Sequence, residues 1–171
     1  TDHHLPGTER PEAFETIHST KMCGASVAWC LLNGMIAKEL QTELLQFAAI
    51  ATVCDLIPLV ELGRAFVTEG LKILRKTTNP GLVALIEQSN INQEPGSYEI
   101  GYVLGPRINA IGRLEHAIDA LRLLCTKDQV KAKRLAKLLC DTNIARQQMT
   151  MVALEQARLL VDKEKKIHVL A

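Results

Sequence analysis

A predominantly α-helical chain with one or two short strands is predicted by three features of these 171 residues. Aromatic residues make up 4% and hydrophobic residues 47%, a composition that suits close-packed helices and lacks the aromatic and β-branched positions of a β-sandwich. Apolar residues recur at steps of three and four over much of the chain, the period of a helix face. Residues 127–163 contain neither Gly nor Pro, so nothing in them breaks a helix.

Taken in order, the chain opens with a polar stretch carrying turn chemistry at Pro6-Gly7 and Pro11, then a short run around Ile17 that reads as a strand. Gly24–Ile36 is apolar with small residues and reads as a helix. Leu40–Cys54 reads as a second, with Leu44, Phe47, Ala48 and Ala51 on one side and Leu45, Ala49 and Ile50 on the other, hence buried nearly all round. Pro58 stops it just beyond Asp55. Residues 60–76 form an amphipathic helix ending in Lys72, Arg75 and Lys76, cations placed at the negative end of its dipole. Asn79-Pro80-Gly81 is a break, and a short helix follows from Leu82 to Gln88. Gly101–Gly112 holds three glycines and a proline, which reads as a shaped loop or an interrupted helix. Leu114, Ala117, Ile118, Leu121 and Cys125 resume helical spacing, and Thr126 with Asp128 makes the next helix start. The helix that follows, about 35 residues long, would span roughly 50 Å, the reach of a connector between domains. Lys166–Ala171 reads as the start of a strand. The opening Thr1-Asp2-His3-His4 and this last strand both suggest a piece of a longer protein.

Net charge is +1 but segregated: residues 1–104 hold 7 Lys/Arg against 12 Asp/Glu, and residues 105–171 hold 13 against 7. A basic second half suits phosphate binding and equally suits a solvated, lysine-laced helix. The five cysteines, Cys23, Cys30, Cys54, Cys125 and Cys140, include no C-x-x-C pair and read as buried, reduced thiols of a cytoplasmic protein. No apolar run approaches the roughly 20 residues of a membrane span.

Three places could carry chemistry. Asp2, His3 and His4 are adjacent metal-capable side chains; an imidazole with carboxylates suits manganese, iron or zinc, and a carboxylate-rich set suits manganese or magnesium. Neighbouring side chains of an extended segment point to opposite faces, so all three serve one site only if the segment bends. The alternative is a solvated polar terminus. Asp55 ends an almost wholly apolar helix, where a buried carboxylate needs a partner or a metal and an exposed one needs nothing. Arg107, Asn109 and Arg113 sit in the Gly/Pro-framed segment Gly105-Pro-Arg-Ile-Asn-Ala-Ile-Gly-Arg113, and arginine forks suit phosphate oxygens; the bland reading pairs them with carboxylates such as Glu115. His18, His116 and His168 show no partner.

Four motifs in order, Asp2-His3-His4-Leu-Pro-Gly7, Cys23-Gly-Ala-Ser-Val-Ala28, Ala51-Thr-Val-Cys-Asp55-Leu-Ile-Pro-Leu59 and Gly105–Arg113, resemble the RecJ-type single-stranded-DNA exonucleases of the DHH phosphoesterase superfamily. Asn143-Ile-Ala-Arg146-Gln-Gln on the long helix is similar to that family as well. The resemblance covers essentially the whole chain. It implies an α/β parent of which this piece is the helical part: residues 1–126 the C-terminal part of the DHH catalytic domain, 127–165 the connecting helix, and 166–171 the first strand of the next domain.

The activity it implies is metal-dependent 5′→3′ digestion of single-stranded DNA to mononucleotides in repair and recombination, on a two-metal site of manganese or magnesium lying partly outside this chain. By resemblance His3 and Asp55 ligate one metal, His4 faces the scissile phosphate, Asp2 orients the histidines, Arg107 and Asn109 contact DNA phosphate, and Arg113 supports that segment or the phosphate. The partners implied are single-stranded DNA and, as a candidate, a single-strand-binding protein, with a monomeric, non-membrane enzyme acting in the cytoplasm. The family's earlier aspartate motifs are not in this sequence, so the piece alone is expected to be inactive. Ser26 stands where glycine is frequent, and the interval from Gly7 to Cys23 is short. Two other readings remain: a DHH-type phosphodiesterase acting on short oligonucleotides or cyclic dinucleotides, and a non-catalytic helical module binding nucleic acid or a partner.

Overall fold

The computed structural model describes residues 2–5, 7, 12–114 and 117–161. It is helical almost throughout: α1 (Gly24–Leu31), α2 (Lys38–Cys54), α3 (Glu61–Leu74), α4 (Pro80–Gln88), a π-helical segment (Glu99–Leu104) running directly into α5 (Gly105–Leu114), α6 (Ile118–Cys125) and α7 (Gln129–Leu160). The expected strand pairing is reduced, among the described residues, to one isolated parallel bridge between Asp2 and His18. The strand expected at 166–171 lies outside the described residues.

Two packing groups share one core. Helix α2 is flanked by α1, α3 and the π-helical segment, while α4, α5 and α6 lie against α7. Ile50, Leu74, Leu82, Leu85, Ile100, Leu104, Ile111, Leu123 and Leu139 join the groups in a continuous apolar cluster. The second half of α2 is enclosed on several sides, as its two apolar faces predict, although Leu40 in its first turn is 45% exposed. Close approach of α3 to α2 rests on Gly70, where a Cβ would strike Ala49 Cβ and Leu45 O.

Several boundaries differ from the sequence expectation for local reasons. Helix α1 stops at Leu31 rather than Ile36, and Gly34 takes φ +78°, a left-handed turn that ends helices readily. Of the two readings of residues 101–112 the interrupted helix holds, and no loop forms. Pro106 lacks the N–H for a regular helical bond, and the backbone meets it by running as a wider π-helix up to Leu104 before tightening into α5. That helix is pinned at its start: Gly96 N–H donates to Glu99 Oε2 at 2.8 Å and the Gln93 amide donates to Glu99 Oε1 at 2.7 Å. Both bonds favour the carboxylate, with the Gly96 bond the larger cause, and hold Glu99 below its ordinary 4.5.

Helix α7 starts where Asp128 accepts N–H bonds from Val130 at 2.8 Å and Lys131 at 3.0 Å. Its first half is buried through Asn143. Beyond that point Ile144, Met149, Met151, Val152 and Leu159 are all exposed, so the connector-like helix leaves the core after about four turns. Among the described residues no helix is long and apolar enough to cross a membrane.

Asn79 ties the start of α4 to the end of α6. Its Oδ1 accepts from Leu82 N at 3.0 Å, capping α4, and its Nδ2 donates to Leu124 O at 3.0 Å. Replacing Asn79 by Ala removes both bonds at a buried position and is expected to cost about 1–2 kcal/mol, read as a lower urea midpoint at unchanged slope. Glu99 predicts an acid-range effect. A carboxyl depressed in the folded state adds stability that is complete above 4.5 and is lost as pH falls through its lower folded value. The urea midpoint of Glu99→Gln should therefore lie below that of the unmodified chain at neutral pH, and the gap should close on acidification.

Candidate functional site

The site begins at the parallel bridge. Asp2 N donates to Ile17 O at 3.0 Å and Ser19 N donates to Asp2 O at 3.2 Å, which anchors residues 2–4 beside residues 17–19. The chain bends at His4, and the bend sets the two imidazoles side by side, with ring centroids 4.3 Å apart and planes tilted by 33°. The alternation expected of an extended segment is broken at that residue.

Each ring is then held by a separate contact. His4 Nδ1 donates to Asp2 Oδ1 at 2.8 Å, so its Nε2 is left for another partner. The same bond is the largest cause holding the Asp2 carboxyl below its ordinary 3.8. His3 turns the other way: its Nε2 lies 3.4 Å from Asp55 Oδ2. Room for that ring comes from Gly24, at the start of α1, where a Cβ would stand 3.1 Å from His3 Nδ1. Cys23 and Ser26 at the same helix start bond to one another at 3.2 Å and Ser26 bonds to Thr52 at 3.2 Å, joining the entry to α1 with the last turn of α2.

Asp55 is not buried. It caps the end of α2 with 41% of its side chain exposed, so the cost of burying a lone carboxylate does not arise, and its nearness to His3 is the informative fact. Beside it, Cys54 is pushed up to about 11, by burial first and then by the Asp55 carboxylate and Cys23; it is a neutral thiol at neutral pH. The donors that converge are therefore oxygen and imidazole nitrogen. Ligand atoms of Asp2, His3 and His4 all lie within 4.8 Å of one another. The 3.4 Å between His3 and Asp55 fits two ligands of one divalent ion held at about 2.1 Å each.

Next to this cluster lies a cavity of about 250 Å³ lined by Cys54, Gly101, Gly105, Pro106, Asn109, Ala110 and Arg146. Gly105 makes the junction: a Cβ there would stand 2.5 Å from Cys54 Sγ, so only glycine lets the start of α5 touch the end of α2. Asn109 is exposed on the cavity wall. Arg107 is half-buried and turned back on its own helix, its guanidinium donating to Val103 O at 2.8 Å; its Nε is buried with no partner among the described residues. The side chain of Arg113 lies outside the described residues.

No protein-family model matches the chain. Sequence comparison does find relatives: the single-stranded-DNA-specific exonuclease RecJ of Bacillus subtilis (strain 168) is 36% identical over 174 residues, covering 96% of this chain and 22% of that protein. Among solved structures, RecJ in complex with Mn2+ from Thermus thermophilus superimposes with a TM-score of 0.86 at 32% identity, covering 99% of this chain and 27% of that one. The chain belongs to the RecJ family. Exonuclease RecJ bound to manganese matches as well, at TM-score 0.85 and 31% identity over 99% of this chain and 46% of that one. The chain thus spans about a quarter of the length of the RecJ proteins it matches in sequence.

Two residues of this candidate site carry no site signal of their own in the sequence. His18 donates from Nε2 to His4 O at 2.7 Å and stands 3.9 Å from Asp2 Oδ2, clamping the histidine pair from the neighbouring segment; its only signal was the strand-like run around Ile17. Arg146 reaches the cavity from α7, its guanidinium donating to Asn143 Oδ1 at 3.2–3.3 Å. The sequence singled out Asn143–Arg146 as family-like without giving it a place, because an i,i+3 pair on a long helix does not say what it faces.

The Gly105 contact gives a test. Gly105→Ala should lower stability by about 1–3 kcal/mol through overpacking against Cys54 and the Ile100 carbonyl, 2.5 and 2.9 Å from the added Cβ, and adding Cys54→Ala should restore the Cys54 part of the loss; additive losses in a urea-denaturation double-mutant cycle would show that the Cys54 contact does not carry the effect.

Proposed function

We propose that this chain is part of the catalytic domain of a metal-dependent 5′→3′ single-stranded-DNA exonuclease that releases mononucleotides by phosphodiester hydrolysis in DNA repair and recombination. One observation carries the reading: His3 and Asp55, 52 positions apart in sequence, face each other at 3.4 Å beside an ordered Asp2–His4 pair. The similarity to RecJ proteins, two of them solved with manganese, supports the metal and the substrate class.

In this reading His3 and Asp55 hold one of two manganese or magnesium ions, whose remaining ligands come from outside this chain. Bound ions supply a lowered pKa for the attacking water and offset the charge of the phosphoryl transition state. The chain's own residues orient the reaction. Asp2 accepts His4 Nδ1–H and fixes the ring plane, which presents Nε2 to the scissile phosphate; His18 holds the His4 backbone so that the ring cannot swing away. Asn109 and Arg107, with Arg113 in support, contact DNA phosphates. Residues 1–126 form the C-terminal part of the DHH domain, residues 127–165 connect it to a following domain that starts at 166–171, and the chain alone, with one ion's ligands only partly supplied, does not cut. The enzyme is a cytoplasmic monomer, with a single-strand-binding protein as candidate partner.

The test is nuclease activity of the full-length protein on 5′-phosphorylated single strands with and without manganese. Asp55→Ala should reduce manganese-dependent release of mononucleotides to background, whereas Asp2→Asn, which disturbs only the orientation of His4, should cost about 10–100-fold. Faster turnover of dinucleotides than of long strands would favour the short-oligonucleotide phosphodiesterase reading. Salt-sensitive binding with no cleavage would favour the non-catalytic module.

A further inference from the structure

Among the chain's few aromatic residues, three are largely exposed, Phe14 alone and the two tyrosines as a stacked pair. Trp29 and Phe66 pack edge to face, 5.5 Å between centroids, with Phe66 7% exposed. Tyr98 and Tyr102, the chain's two tyrosines, instead stack on each other in the open: their centroids are 5.0 Å apart and the planes tilted by 29°, with 64% and 74% of the residues exposed. Neither hydroxyl has a hydrogen-bond partner among the described residues, so no polar contact accounts for the arrangement. Large rings presented together to water mark a contact surface more often than an isolated exposed apolar residue does.

The position of the pair points to its occupant. Tyr98, Tyr102, Pro106 and Asn109 follow at steps of four, four and three along one continuous helix, so the rings stand in line with two residues that wall the cavity beside Asp55. Glu99 is the one acidic residue between Tyr98 and Leu114; its carboxylate is spent on Gly96 and Gln93, and the same two bonds fix the helix turn that carries the rings. The cavity's charged wall is the Arg146 guanidinium. Flat π-faces leading to a cation-walled cavity have the chemistry of a single-stranded polynucleotide, whose bases stack on aromatic rings regardless of sequence while phosphates follow cationic and amide groups.

We propose that Tyr98 and Tyr102 form a base-stacking platform that receives one or two bases of single-stranded DNA next to the phosphate being cut. The proposal rests on the exonuclease reading above. Stacking on a preset pair lowers the ordering cost of the strand, and it discriminates against duplex, whose bases are already stacked and cannot lie on the rings.

The test is fluorescence anisotropy on the full-length protein in EDTA, so that nothing is cut, with a labelled oligothymidylate and an abasic strand of equal length. The quantity read is the ratio of the two dissociation constants. In the Tyr98→Ala/Tyr102→Ala variant that ratio should fall roughly tenfold relative to the unmodified protein, with an unchanged slope of log affinity against log salt, because the phosphate contacts remain. Tyr98→Phe/Tyr102→Phe should keep the original ratio. An unchanged ratio in the alanine variant overturns the platform while leaving the exonuclease reading intact, and loss of the ratio in the phenylalanine variant replaces stacking by hydroxyl bonding and overturns it as well. Absence of single-strand binding by the unmodified protein overturns the platform, and the exonuclease reading is then judged by the manganese-dependent cleavage above.

Discussion

The end of helix α2 is the constraint from which the site follows. Helix α2 is packed against α1, α3 and the π-helical segment at once, so its end has little freedom and the Asp55 carboxylate emerges at one place on the surface. Everything around it is adjusted to that point. Gly24 opens space for His3, the Cys23–Ser26–Thr52 bonds dock the α1 entry on the α2 exit, and Gly105 brings α5 against Cys54. If Asp55 holds an ion as proposed, a mobile loop would leave the ion to gather the carboxylate; here the apolar packing of α2 has already placed it, and the ordering cost is borne on folding.

The segregation of charge along the sequence has a counterpart in space. The Asp2–His3–His4–Asp55 cluster is contributed by the acidic first part of the chain, while Arg146 on the neighbouring cavity wall comes from the basic last part. The two do not form an ion pair with each other among the described residues. Arg146 is occupied by the neutral Asn143 amide, which orients the guanidinium and leaves its charge unspent. A carboxylate at position 143 would hold the same geometry and cancel the charge.

Much of the helical fold, and the residues that meet in the candidate site, could be read from the sequence. Periodicity located α2, α3, α4 and α7 to within a few residues because each buries an apolar stripe or carries a cap, as Asn79 and Asp128 do. The Asp-His-His run and Asp55 were legible because short-range residue chemistry is unusual there. What was hidden depends on distance in sequence. Burial of Asp55 could not be judged, since exposure at a helix end is decided by neighbours elsewhere in the chain. His18 lies 14 residues from His4 and meets it only through a backbone bridge. The sequence leaves residues 101–112 open between a loop and an interrupted helix because Gly and Pro counts describe intrinsic cost, and the packing of Ile100, Leu104 and Ile111 in the core outweighs it.

The π-helical segment has a consequence of another kind. A wider turn takes up residues without advancing the helix in proportion, so Glu99–Leu104 sets the rotational phase between the tyrosines, Tyr98 just before it and Tyr102 within it, and the Asn109 wall after it. Side-chain replacements within those six residues leave that phase alone. Losing a single residue would let the backbone relax to the narrower α-helical winding and swing one end by about 100° against the other. The letters of this stretch serve the core, the Glu99 anchor and the Tyr102 ring, while its length alone fixes how the two ends are turned against each other.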